Sequence, residues 1–323
     1  MNISPGTEVP RPDLQASFNE APAQQAYIAS IILPPTEVGD HSGAFGRRPL
    51  AEQLLDQQTT RTDKGGYPRI EGRLSSDTWE TTEQGIEVPL DERQAKIYAT
   101  YLDFQAANAQ LGLEVMKRRR ERRVQAICHN TATLPLSGNT GHAMTNEWDD
   151  APNADPIGDA KKAVLGLRAR GVDASRAVMQ VSFRALWDLS MSAQMLDRLK
   201  YTQFPGMTLP PPQLAMAMGL AGVIVAGGFY NSADQGVAAS IADIWNPEYA
   251  FVFVPPATSN IDEPCFGRTM VWKGDGGGDP DMPAVEDYLE PQTRKRVLRL
   301  RNEQHEKVLF ENAAYLIGNC FTA

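Results

Sequence analysis

Apolar positions along the chain change period repeatedly, and each change predicts an element. Between residues 90 and 128 there is no proline and Gly112 is the one breaker, while Ile97, Tyr101, Phe104, Ala107 or Asn108, Leu111, Val115 and Met116 recur at steps of three and four. Such a stripe on an otherwise polar rod predicts a long helix, with Asp91 or Asp103 as its N-cap. Continuous over residues 103–128, it would measure about 39 Å at about 1.5 Å per residue. Residues 157–170 repeat the pattern in a shorter amphipathic helix that Gly171 ends. A buried strand is predicted at 178–181, helices at 183–200 (Leu186, Leu189, Met195, Leu199) and 213–218, and strands at 222–226, 250–254, 268–272, 296–301 and 308–321. Helices and strands mix without regular βαβ alternation, so the fold class is α+β.

Two stretches have little core of their own. Residues 59–88 hold ten charged side chains, turn residues Gly65, Gly66, Pro68, Gly72 and Gly85, and scattered apolar anchors at Tyr67, Ile70, Leu74, Trp79, Ile86 and Val88. They read as a long β-hairpin, and two strands alone are marginal in water, so the hairpin must rest on another surface. Residues 1–48 carry six prolines and no sustained period, which makes an extended arm. Its apolar island, Tyr27, Ile28, Ile31, Ile32 and Leu33, either packs on a partner or forms an edge strand of the same chain.

Composition narrows the function. Of 323 residues 42% are hydrophobic and 22% charged, enough for one large core or two moderate ones and too apolar for overall disorder. The formal net charge of −9 has the wrong sign for a protein that coats nucleic acid, so any such contact is local. Three widely separated cysteines, Cys128, Cys265 and Cys320, support neither a disulfide framework nor a zinc site, and suit a reducing compartment. The first residues lack a secretory pattern. The uncharged run 214–230 contains four glycines and follows three prolines, which fits a short helix and a buried strand better than a membrane span.

Catalytic signatures are sparse. None of His41, His129, His142 and His305 lies three to five residues from another, and all four read as ordinary surface histidines. GxSxG, GxxxxGK[ST] and GxGxxG do not occur. Cys128 and His129 would point about 100° apart on a helix and make no nucleophile–base pair. Asp275, Asp279, Asp281, Glu286 and Asp287 crowd a glycine-rich loop, 274–290, without the spacing of an EF-hand; a solvated acidic loop is the expected reading and an Asp/Glu-dependent hydrolase the remote one. Lys117, Arg118, Arg119, Arg120, Arg122 and Arg123 put six cations in seven residues near the end of the long helix, more than a helix terminus needs. They suit an acidic partner, a polyanion, or simply a solvated helix end.

The order of these pieces resembles a known family. Tyr27 with Ile32, Leu33, Pro34 and Pro35 in the arm, the run Asn146, Glu147, Trp148, Asp149, Asp150, then Asp155, Pro156, Ile157, Gly158, Asp159, Ala160, and further on Trp187, Phe229–Asn231, Asp243, Trp245 and Thr269–Trp272 are similar to the major capsid proteins of tailed bacteriophages, which have the HK97-like fold. The resemblance implies an N-terminal arm (1–48), an E-loop (49–90), a P-domain with a spine helix (91–173), an axial A-domain (174–291) and strands returning to the P-domain (292–323).

It further implies a subunit without enzymatic activity, cofactor or metal. Such a subunit assembles through pentamers and hexamers into an icosahedral shell around double-stranded DNA, built in the host cytoplasm and ending in the virion. Expected partners are other copies of the chain, a separate scaffolding protein since the arm begins at once, a portal, packaged DNA and, as an open matter, a decoration protein; no membrane is involved. On this reading Ile28, Ile31, Ile32, Lys64, Tyr67, Arg69, Arg73 and Trp79 touch neighbouring subunits, and the six cations of the spine meet DNA or another subunit. Lys64 is the one lysine in the hairpin that could crosslink, although a solvated turn residue is the plainer expectation. An encapsulin-like protein compartment is the near alternative.

Overall fold

The computed structural model describes residues 9–10, 26–56, 59–61, 63, 65, 67, 69, 72–91, 93, 104–199, 209–234, 236–258 and 263–321. In chain order the elements are β1 (Val9–Pro10), α1 (Ala29–Ile32), β2 (Pro35–Val38), β3 (Ser42–Arg47), α2 (Leu50–Gln53), β4 (Ser75–Glu80), β5 (Thr82–Asp91), α3 (Phe104–Cys128), β6 (Gly141–Ala143) and α4 (Pro156–Ala169). There follow β7 (Val178–Ser182), α5 (Phe183–Met191), α6 (Ala193–Leu199), α7 (Pro211–Met218), β8 (Gly222–Ala226), β9 (Phe229–Asn231), β10 (Ile241–Asp243), β11 (Tyr249–Phe253), β12 (Gly267–Trp272), β13 (Ala284–Glu290), β14 (Lys295–Val308) and β15 (Ala314–Gly318).

Two large sheets organise the chain. In the six-stranded sheet the 14-residue β14 is the central member. Residues 295–304 pair antiparallel with β5, residues 295–301 with β13 and residues 304–308 with β12. The parallel strand β2 and the two residues of β1 complete it. The five-stranded sheet runs β6-β15-β11-β7-β8. Its central strands β11 and β15 are buried along nearly their whole length, and they read as continuous apolar runs because both faces are covered. The 291/292 boundary expected between axial and returning segments cuts across both sheets: β12 and β13 pair with β14, while β15 lies beside β11.

Leu90 and Asp91 still belong to β5, and Asp91 Oδ1 accepts from the N–H of Arg93, a helical residue, at 2.7 Å, as the expected N-cap would; the long helix α3 is described from Phe104, and Ile97, Tyr101 and Asp103 lie outside the described residues. Its buried side is Ala109, Leu113, Arg120, Glu121, Val124 and Cys128, whereas Leu111 is 58% exposed, so the inner stripe is rotated from the predicted one. Gly112 is not a breaker here. A Cβ there would meet Leu300 Cδ1 at 2.8 Å, so glycine lets α3 lie directly on β14 over Leu90, Val285, Leu298 and Leu300.

The helix ends elsewhere follow local chemistry. Asp155 accepts from the Gly158 N–H at 2.9 Å with Pro156 opening α4, and Gly171 at φ +78 closes it. Gly219 at φ +73 ends α7 and turns the chain into β8, so the apolar run 214–230 is a helix followed by strands as predicted. No described helix is long and apolar enough to cross a membrane. The helix expected at 183–200 is broken at Ser192 into α5 and α6.

Candidate assembly surfaces

The arm's apolar island is bound into this chain's own core. Nothing in the side chain of Ile28 caps α1; the carboxylate of Glu121 does so instead, accepting from the N–H of Ile28 at 3.0 Å and of Ala29 at 2.9 Å, and from Trp245 Nε1–H at 2.6 Å. Glu121 is fully buried, and that burial pushes its carboxyl up against the pull of these donors. Next to it Arg120, 2% exposed, donates to Ser30 Oγ at 2.6 Å, to the Leu33 carbonyl at 3.2 Å and to Thr269 Oγ1 at 3.2 Å, and pairs with Asp281 at 3.1 Å. Ile28 and Ile32 are therefore core residues rather than neighbour contacts: one helical turn faces them inward and leaves Ile31 50% exposed.

The hairpin differs from its predicted span. Its strands are β3 and β4, paired from Ser42↔Glu80 to Arg47↔Ser75, so the outgoing strand lies before residue 49 and β5 belongs to the six-stranded sheet. The ribbon leaves that sheet at Thr81, whose N–H donates to the His41 carbonyl at 2.8 Å and whose hydroxyl donates to Glu303 Oε1 at 2.6 Å. Trp79 is an internal contact: it packs on Phe45, with ring centroids 5.9 Å apart, in a small cluster with Val38, Cys265, Met270 and Leu309. Beyond β3, Leu50 and Leu54 approach Gly171, and other described apolar side chains toward the tip face solvent. Leu55, Tyr67 and Leu74 are 61–71% exposed. Arg61 lies 5.0 Å from the Tyr67 ring centroid, the backbone N–H of Arg73 donates to Glu52 at 2.8 Å, and the Arg73 and Arg69 side chains are exposed. Lys64 lies outside the described residues.

At 100° per residue the basic run divides around the helix. Arg120 is internal, and Arg123 makes a two-nitrogen contact with Glu306, at 3.1 and 2.7 Å, which removes both from the charges free to meet a polyanion. Arg122 lies 4.4 Å over the Tyr230 ring. Arg119 is exposed, and Lys117 and Arg118 are partly so. What remains outward is a narrower basic stripe than six consecutive cations suggest.

The acidic loop is half strand. Residues 284–290 are β13, and the carboxylates are matched by cations: Glu286 with Arg301 at 2.6 Å, Asp287 and Asp275 with Arg296 and Arg301, Asp279 with Lys273 at 3.1 Å, and Asp281 with Arg120. Carboxylates so paired are poor general bases, which removes the basis for the hydrolase expectation. Two histidines are likewise internal. His129 bonds Gln180 Oε1 at 3.3 Å, and burial lowers its pKa to about 4; His142 bridges Asp159 at 2.9 Å and Tyr315 at 3.1 Å. The feature sequence reasoning missed is Glu121, although it was visible as the single acid inside the basic run.

No family model matches the chain, and no curated protein is similar in sequence. The fold itself has clear counterparts. A phage-related protein from Bordetella bronchiseptica RB50 is 18% identical with a TM-score of 0.70, over 98% of this chain and 100% of that one. The capsid structure of cyanophage P-SCSP1u matches at 10% identity and TM-score 0.58, covering 92% of this chain and 89% of that one. The mature capsid of bacteriophage PhiM1 matches at 12% and 0.57, covering 92% and 88%. With its long helix lying on a six-stranded sheet, a second five-stranded sheet and a projecting hairpin, the chain has the HK97-like fold of phage capsid proteins.

Proposed function

We propose that this chain is a major capsid protein that self-assembles into an icosahedral shell around double-stranded DNA. The observation that carries the reading is a capsid fold whose β3–β4 hairpin exposes the apolar side chains toward its tip instead of burying them in its own core. Such a hairpin is stable only against another surface, and in a shell that surface is the next subunit. On this reading β3–β4 and the residues between them are the E-loop, the six-stranded sheet with α3 is the P-domain, and the five-stranded sheet with α4 to α7 is the axial A-domain. Ile31, Lys64, Tyr67, Arg69 and Arg73 meet neighbouring subunits, and Lys117, Arg118, Arg119 and Arg122 face packaged DNA. Function then follows from assembly through pentamers and hexamers, with a scaffolding protein and a portal as partners, in the host cytoplasm and finally in the virion.

Electron microscopy of the full chain expressed with its neighbouring gene products, together with light scattering for mass, tests the proposal. Closed particles or capsomer rings are the expected result. A monodisperse monomer or dimer under all conditions would overturn it, and particles filled with protein rather than nuclease-protected DNA would redirect it to a protein compartment.

A further inference from the structure

The helix α5 turns an apolar stripe outward. Its inner side, Ala185 and Leu189, is fully buried, and Ser182 caps it by accepting from the Ala185 N–H at 3.1 Å. Phe183, Trp187 and Met191, at i, i+4 and i+8, are 57%, 49% and 63% exposed, and Leu196 on α6 is 48% exposed. The Phe183 and Trp187 rings meet edge to face with centroids 6.5 Å apart, so the surface is one patch. Half-exposed side chains of this size present on the order of 400 Å² of apolar surface, within the range that marks an interaction site on a monomer. That is about half of what one partner contributes to a standard interface, the share a hydrophobic core takes inside a polar rim.

A second exposed apolar surface lies on the β9–β10 ribbon. Tyr230 faces inward beneath Arg122, while Ile241 is 65% exposed and Val237, in the turn between the strands, 66%. The only charges over residues 227–243 are Asp234 and Asp243, both exposed. Beside the helical stripe Arg184, whose side chain is 58% exposed, outweighs its partner Asp188 at 28%, and the exposed Asp197 and Arg198 next to Leu196 balance each other in charge. The two surfaces thus pair apolar with apolar and a cation with carboxylates. Identical chains close into rings through heterologous contacts, which need two different surfaces of this kind on each copy.

We infer that the α5 stripe of one copy docks on the β9–β10 ribbon of a second copy, and that the contact repeats head to tail around a ring. The inference deepens the shell reading above and rests on it. All three native cysteines are buried, so introduced surface cysteines report without background. Full-length Met191→Cys and Ile241→Cys chains, mixed, assembled and mildly oxidised, should give covalent dimers at least about tenfold above either variant alone, and the double variant a ladder ending at ring size.

Absence of intermolecular disulfides in assembled material, a faster-running monomer from an intrachain bond, or dominance of Met191→Cys homodimers would overturn the inference. Trp187→Glu should reduce the assembled fraction at least about tenfold with an unchanged circular-dichroism melt, since the position is at the surface. Leu289→Glu, on the exposed side of β13, should assemble like wild type. Normal rings from Trp187→Glu would reject this contact and leave the shell reading standing, whereas wild-type chains that never assemble would reject the shell reading itself.

Discussion

The arm segment 26–33, an apolar island of Tyr27, Ile28, Ile31, Ile32 and Leu33, and the β3–β4 hairpin, with scattered anchors at Phe45 and Trp79, both lack a core of their own, yet they have opposite fates. The arm is bound into the core by groups that recognise its backbone: Glu121 takes two N–H groups of α1 and Arg120 takes the Leu33 carbonyl. The hairpin is held by polar contacts along its strands, Thr81 on Glu303 and His41, Asp77 on Lys307 at 2.7 Å and Arg47 over the Phe310 ring, while Leu55, Tyr67 and Leu74 stay exposed. Apolar content favours burial of the arm. Satisfaction of its backbone is what permits that burial, because a segment enters a core only when partners exist for the polar groups it takes out of water.

Breaking the arm's anchor should have the largest effect. Glu121→Ala strands three buried donors at roughly 1–3 kcal/mol each, partly relieved by relaxation, so about 4 kcal/mol of stability should be lost in urea unfolding. Loss below about 1 kcal/mol would mean that the arm is not anchored there. Arg120→Met should cost about 2–3 kcal/mol, less because Asp281 is half exposed and can regain water. For both variants hydrogen exchange should show residues 28–33 opening first.

Acid should loosen the same neighbourhood through His129, whose ring sits 5.2 Å from that of Trp245. Its folded pKa is about 4 against an ordinary 6.5, so between those values the unfolded chain binds the proton that the folded chain refuses. Its contribution is present above about pH 6.5 and is lost as pH falls toward 4. Glu121 runs the other way: its raised pKa makes the folded state the better proton acceptor, favouring folding as pH falls. Comparing the pH dependence of wild type with His129→Gln isolates the histidine, and parallel curves would rule it out.

The hairpin should behave oppositely to the arm. Replacing residues 59–72 by a short glycine linker should leave stability within about 1 kcal/mol, because the described positions among them are exposed or only partly buried, while closed shells disappear. Shells of normal size would show that the tip touches no neighbour. Smallest of all, Arg119→Ala should change stability by less than about 0.5 kcal/mol and act only on DNA retention and its salt dependence. An equal loss from Arg119→Ala and Arg120→Met would erase the distinction between outward and inward cations.

Much of this architecture is legible in the residues. The proline-free helix, the helix and strands in the run 214–230, the Gly171 stop and the α+β class all follow from local periodicity and capping chemistry, which act within a few residues. Local rules stop at partner choice. Nothing near residues 42–47 says that they pair with 75–80, or that β14 will receive β5 from 200 residues away.

The sequence by itself determined the long helix, the helix ended by Gly171, the helix and strands of 214–230, that the chain is too apolar for disorder, and that the hairpin and arm need a surface to rest on. Only the tertiary structure decided which partners. It placed Arg120 and Glu121 inside and Arg119 outside because successive residues of a helix point 100° apart, while a run of like charges carries no mark of which side will face the core. It set the carboxylates of 275–287 against arginines and a lysine because β14 brings Arg296, Arg299 and Arg301 alongside β13. Burial and pairing are properties of the whole packed chain, and the physical reason is that the free energy of a charge depends on what surrounds it in space rather than on its neighbours in sequence.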